Sequence, residues 1–177
     1  MKNKGRSTHR FGVRQQETGS DCQQPIVSHS SLVDRAGRWL RRTCGCCVVL
    51  TELVAYTHNG ETPDAIGWVG GKSILVECKL SRADFLRDRK KRFRNRDELY
   101  TGILEGMGSW RFFLTAPGIV KESDDLKGWG VYEMHGKQVR HAFGAKYANA
   151  GKSPFQPCLR SENAMLVSAL RRLQSSG

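Results

Sequence analysis

An α/β (α+β) fold, a mixed central β-sheet flanked by helices, is predicted by three features of this 177-residue chain. Segments with the 3.6-residue period of amphipathic helices lie near the start, in the middle and at the end. Between them run short segments rich in β-formers, two of them joined by Gly70-Gly71, whose tolerance of positive φ suits a two-residue hairpin loop. The chain carries no internal repeat, and its length suits one domain with a real core.

Residues 1–29 are polar, with Lys2, Lys4, Arg6, Arg10 and Arg14 early in the run, and read as a flexible basic arm before a domain over 30–177. Ser30 or Ser31 can cap a first helix through Leu32, Val33, Ala36, Trp39 and Leu40, ending before Gly45. Val48 to Tyr56 is predicted as a strand, stopped by the turn-prone His58-Asn59-Gly60. Asp64 to Val69 and Ser73 to Leu80 follow as the two arms of the hairpin. Ser81-x-x-Asp84 has the spacing of a helix cap and opens a basic helix to about Arg96, with a further segment around Glu98 to Leu104. Trp110 to Ala116 and Trp129 to Met134 are later strands, and Gly136 turns the chain into Gln138 to Phe143. A last helix, capped by Ser161, runs through Met165, Leu166, Leu170 and Leu173. Trp68, Trp110 and Trp129 fall in strands and are expected in the core.

Charge narrows the partner. Twenty-nine Lys and Arg against 17 Asp and Glu give a formal charge of +12, which suits a polyanion, because releasing counterions from phosphates drives such binding. Nucleic acid is the first expectation, DNA before RNA. No apolar run reaches the ~20 residues of a membrane helix, and the basic N-terminus lacks the apolar stretch of a secretory signal. A cytoplasmic setting, nucleoid-associated or phage-encoded, is expected. The six cysteines then read as reduced thiols; Cys44-Gly45-Cys46-Cys47 lacks a second pair at zinc-site spacing.

The hairpin carries the chemistry. If Gly70-Gly71 form its loop, Val69 pairs with Lys72, each cross-strand pair sums to 141, and Asp64 faces Glu77. Opposed residues have Cβ atoms about 4.5–5.5 Å apart, so two like charges there repel unless a cation lies between them. Lys79 shares the face of Glu77, while Ile74, Val76 and Cys78 point the other way. Carboxylates that hold a hard cation, with an ammonium beside them, are what phosphodiester hydrolysis needs: the cation acidifies water, and the ammonium positions it or stabilises developing charge. Mg2+ is expected, with Mn2+ able to substitute, and the backbone carbonyl of Cys78 is a further candidate ligand.

Pro63-Asp64, twelve residues, then Glu77-Cys78-Lys79 resembles the PD-(D/E)XK motif of the restriction-endonuclease-like superfamily. The run from Glu77 through Ser81-Arg82-Ala83-Asp84-Phe85 also resembles the MmcB-like DNA-repair branch, over roughly residues 46–134. The resemblance implies a restriction-endonuclease-like core and a Mg-dependent endonuclease acting on DNA, with Asp64, Glu77 and Lys79 as catalytic residues. It also implies a further acid from an early helix or strand. Glu52 is the best match, since it stands among Leu50, Leu53 and Val54 in a stretch expected to be a buried strand, where an unpaired charge is costly. One such site cuts one strand per visit, so double-strand cleavage would take a homodimer or sequential nicking. A noncatalytic binding or protein-interaction module on the same fold is the alternative.

From Arg82 to Arg96 stand eight Lys or Arg against two Asp. Helical spacing puts Arg87, Lys90, Lys91 and Arg94 on one face and Phe85, Arg89 and Phe93 on another, so the rings can dock while the cations, with Arg82, meet phosphates. Such contacts give affinity without base readout.

Overall fold

The computed structural model describes residues 28–90, 106–148, 150–175 and 177. Helix α1 (His29–Arg42) is followed by strands β1 (Val48–Thr51), β2 (Ala65–Val69) and β3 (Lys72–Lys79), helix α2 (Arg82–Asp88), strands β4 (Trp110–Thr115), β5 (Gly130–His135) and β6 (Gln138–Gly144), and helix α3 (Leu159–Ser175). The six strands form one mixed sheet in the order β1-β2-β3-β4-β5-β6. The β3–β4 and β4–β5 pairs are parallel, the rest antiparallel. This is the α/β sandwich expected from the sequence.

Both parallel connections move the same way along the sheet, and a consistent hand puts their described parts, α2 and residues 116–129, on one face. There α2 and the 116–129 connection pack Phe85, Val120 and Trp129 on Ile66, Leu75, Phe113 and Val131. Phe85 meets Phe113 edge-on at 5.0 Å. The opposite face is covered by α1, whose Leu32, Val33, Ala36, Trp39 and Leu40 bury against Ile74, Val76, Phe112, Leu114 and Tyr132. Burial of each large apolar side chain stabilises by about 1.5–3 kcal/mol, so these two clusters fix the layers. Close approach matters between α1's exit and β2: a Cβ on Gly67 would lie 2.8 Å from the Cys46 sulfur.

Several element ends differ from expectation. Ser28, not Ser30 or Ser31, caps α1, its hydroxyl accepting from the Ser31 N–H at 3.2 Å. β1 stops at Thr51 rather than Tyr56, because Glu52 turns the chain with φ +49°. α3 begins at Leu159, which puts Ser161 inside the helix, buried and bonded to Asn59. Ser81 caps α2 as expected, accepting from Asp84 N–H at 3.2 Å. Most of the basic arm, the second half of the basic helix and the segment near 98–104 lie outside the described residues.

α3 is held by a buried carboxylate. Glu162 accepts from Ser73 Oγ (2.6 Å), Gly108 N–H (2.9 Å) and Trp68 Nε1 (3.1 Å), which joins the helix to the loop end of the β2–β3 hairpin. Among the described residues no helix is long and apolar enough to cross a membrane. The five described cysteines are free thiols.

Candidate active site

The β2–β3 register pairs Val69 with Lys72 and Ala65 with Val76, so the next pair outward sets Asp64 against Glu77. Asp64 continues the ladder in both directions: its carbonyl accepts from Glu52 N–H (2.9 Å), and its Oδ2 accepts from Cys78 N–H (2.7 Å). Glu77 and Lys79 alternate with Cys78, so they share the α2 face while the Cys78 thiol packs into the α1 cluster. Burial pushes that thiol well above its ordinary range, and it is inert.

Glu77 is 2% exposed and Lys79 5%, so two charges sit at the end of a strand with almost no water. Their ion pair is direct, Lys79 Nζ to Glu77 Oε2 at 2.9 Å. A third buried charge completes the cluster: Asp88, in the last turn of α2, places Oδ1 3.2 Å from the same ammonium. Burial opposes the charge of Lys79, but attraction to Glu77 and then Asp88 outweighs it and holds the amine above its usual range. Lys79 is therefore an ammonium at neutral pH. Its register partner on β4, Thr115, is also buried, and the Thr115 hydroxyl finds no hydrogen-bond partner among the described residues.

Asp64 has the reverse bias. Burial first and the charge of Glu77 second raise its pKa, while the Cys78 N–H, Lys79 and His29 work the other way. The last is a histidine the sequence reading placed in the arm: His29, first residue of α1, sets Nε2 3.4 Å from Asp64 Oδ1 and 3.7 Å from Glu52 Oε1. His58, nearer in sequence, is an exposed turn residue.

Glu52 lies beside this group but not in the expected buried strand. It follows β1, its side chain is 56% exposed, and its link to Asp64 runs through His29 and the backbone. Glu61, in the connection between β1 and β2, is fully buried and bonds Asn59 and Met107 N–H, a structural task.

The expected phosphate contacts divide. Arg87 and Lys90 are exposed. Arg82 is not available, because its guanidinium forms a two-pronged pair with Asp124 and also donates to the Ile119 carbonyl. Those bonds hold the Asp124 carboxyl down at about 2 and tie α2 to the 116–129 connection. Lys91 and Arg94 lie outside the described residues.

Asp88 was within reach of the sequence. It stands three residues after Phe85, so on a helix it shares the docking face of that ring, and an acid there had to meet a cation on β3. His29 gave no such signal, since its role depends on where α1 starts.

Asp64, Glu77 and the Cys78 carbonyl are donors of the hard, oxygen type that magnesium takes, and the mutual repulsion that raises Asp64 is what a dication would relieve. Among the described residues no group of three or more His, Cys, Asp and Glu side chains forms a ready cage. Two carboxylates suit a cation that keeps several of its waters.

No protein-family model matches the chain, and no curated protein matches it. Among solved structures it is similar to a protein of unknown function from Silicibacter pomeroyi, at 25% identity and a TM-score of 0.51, covering 84% of this chain and 91% of that one. That likeness is one of overall fold.

Proposed function

We propose that the chain is a metal-dependent nuclease of the PD-(D/E)XK type, with a restriction-endonuclease-like core, that hydrolyses phosphodiester bonds in DNA. One observation carries this reading: two opposed acids, Asp64 and Glu77, lie at the end of one hairpin with the Lys79 ammonium 2.9 Å from Glu77. Burying three such charges costs several kcal/mol in desolvation that packing alone would avoid, so their retention points to chemistry.

Asp64 and Glu77, with the Cys78 carbonyl, would hold Mg2+. When bound, the ion polarises a phosphoryl oxygen and lowers the pKa of water. Lys79 stays protonated, so it acts as a cation and donor rather than as a base: it orients water or substrate oxygen and offsets charge that builds on the phosphoryl group. Asp88 positions that ammonium. Glu52 and His29 line the exposed side, where His29 moderates the charge of Asp64.

The test is cleavage of plasmid, duplex, branched and single-stranded DNA, and of RNA, with Mg2+ or Mn2+. Asp64→Asn should lower the rate by at least about a hundredfold while the fold persists. Unchanged cleavage would remove the assignment, and binding without cleavage across all metals and substrates would leave a noncatalytic module.

A further inference from the structure

A second charged feature lies away from this site. The outer flank of α1 and the tip of the β5–β6 hairpin enclose a groove of about 400 Å³. Five cations line it: Arg35, Arg38 and Arg42 from the helix, Lys137 and Arg140 from the hairpin. No acid is among the lining residues; Asp34, next to the groove, reaches Arg38 only at 3.9 Å between two exposed side chains. Arg140 is braced by two bonds to Gln138 Oε1, at 2.7 and 3.1 Å, which leaves its remaining donors facing out.

Gathering five cations without acids costs repulsion that a globular surface avoids by mixing signs, so the groove is complementary to a polyanion. The helical cations stand at i, i+3 and i+7, spread over roughly 10 Å of axis, enough to meet two or three successive phosphates of one strand. Trp39, the one aromatic lining residue, is 8% exposed and engaged with Phe112 and Tyr132, so it offers no stacking platform. The groove can therefore grip a backbone but not read bases. α1 also begins at His29 beside Asp64, so groove and site lie roughly 9–20 Å apart along one helix.

We propose that the groove between α1 and the β5–β6 hairpin binds the sugar-phosphate backbone of nucleic acid without regard to sequence, holding the strand while a neighbouring stretch reaches the site at the start of α1. Only the second half of this statement rests on the nuclease reading. Binding can be measured without metal, which separates the two.

The experiment is fluorescence anisotropy of the full chain with labelled 24-mer duplex and single-stranded oligonucleotides, in EDTA, across a salt series. Replacing Arg38, Arg42, Lys137 and Arg140 by Gln should weaken binding at least about tenfold and flatten the log–log salt slope by about 2–4, since each lost phosphate contact removes roughly 0.7–0.9. A charge-matched control, Lys121, Lys152, Arg160 and Arg171 to Gln, should stay within about threefold of wild type. All eight side chains are exposed, and thermal melts should report intact folding for both. The pair Arg38→Glu with Arg140→Glu provides an independent groove variant, expected to lose at least as much affinity as the four-Gln chain. Equal loss in the control, or unchanged affinity and slope in both groove variants, overturns the proposal. So would tighter binding to anionic vesicles or polyglutamate than to the oligonucleotides. If wild type binds through the groove but never cleaves with Mg2+ or Mn2+, the nuclease reading fails and the groove stands.

Discussion

The Asp88 carboxylate sits 3.2 Å from the Lys79 ammonium, so the helix that follows the hairpin supplies a counter-ion to the strand that precedes it. With Glu77 at 2.9 Å, one buried cation lies between two buried anions. Lys79→Met would leave both acids without the ammonium between them and should cost about 3–5 kcal/mol in urea denaturation. Asp88→Asn keeps the pair with Glu77 and should cost about 1–2 kcal/mol. In a double-mutant cycle the two losses should not add; additivity within about 0.5 kcal/mol would deny the contact.

The same pair sets an alkaline limit. The folded state holds Lys79 above the ordinary lysine range, so its contribution is complete at neutral pH. It fades only as pH rises past that range into strong alkali. Between pH 9 and 12 wild type should lose more stability than Asp88→Asn, whose Lys79 is raised less, so that the gap between the two stability curves narrows as pH climbs.

Asp64 is held toward its neutral form, whereas Lys79 is held toward its charged one. Its folded pKa is raised, so the fold favours the protonated form, and that advantage is lost as pH climbs through the raised value. Asp64→Asn mimics the neutral state and can keep the bond from Cys78 N–H. At pH 7.5 without metal its Tm should match or exceed wild type, by about 1–3 °C. Mg2+ should raise the Tm of wild type and leave the variant unmoved; a marked fall of the variant's Tm at pH 7.5 would contradict the raised carboxyl.

His29 lowers the pKa of Asp64, so removing the ring should raise it further. In His29→Ala the acid limb of the pH–rate profile should move to higher pH, with little change in the rate on the plateau. An unmoved limb would make His29 a bystander.

Glu162 accepts three bonds where α3 meets the hairpin. Glu162→Ala leaves those donors unmet and should cost about 2–4 kcal/mol, with Glu162→Gln costing less. Cleavage per folded molecule should be unchanged, because the residue braces the loop end of the hairpin rather than the open end that carries Asp64.

What the sequence disclosed follows from which interactions are local. The register that sets Asp64 against Glu77 depended only on a two-glycine loop and strand alternation, and it could be counted. The capping of α2 by Ser81 was equally local. The burial of Glu52 was misjudged because a left-handed residue ends β1 early, and nothing in Leu-Thr-Glu-Leu-Val marks a backbone with φ +49°. Arg82 looked like a free cation because its partner, Asp124, comes from beyond the next strand. The groove escaped notice because α1 and β6 are far apart in sequence and meet only once the sheet is built.

Asp64, Glu77, Lys79 and Asp88 come from one continuous piece of chain, a hairpin and the start of the next helix, whereas Glu162 arrives from near the other end. Contacts close in sequence close fastest, and long loops are costly to shut before they are rewarded. The four charged groups thus need only short loops to close, whereas the bond from Ser73 to Glu162 closes a far longer one.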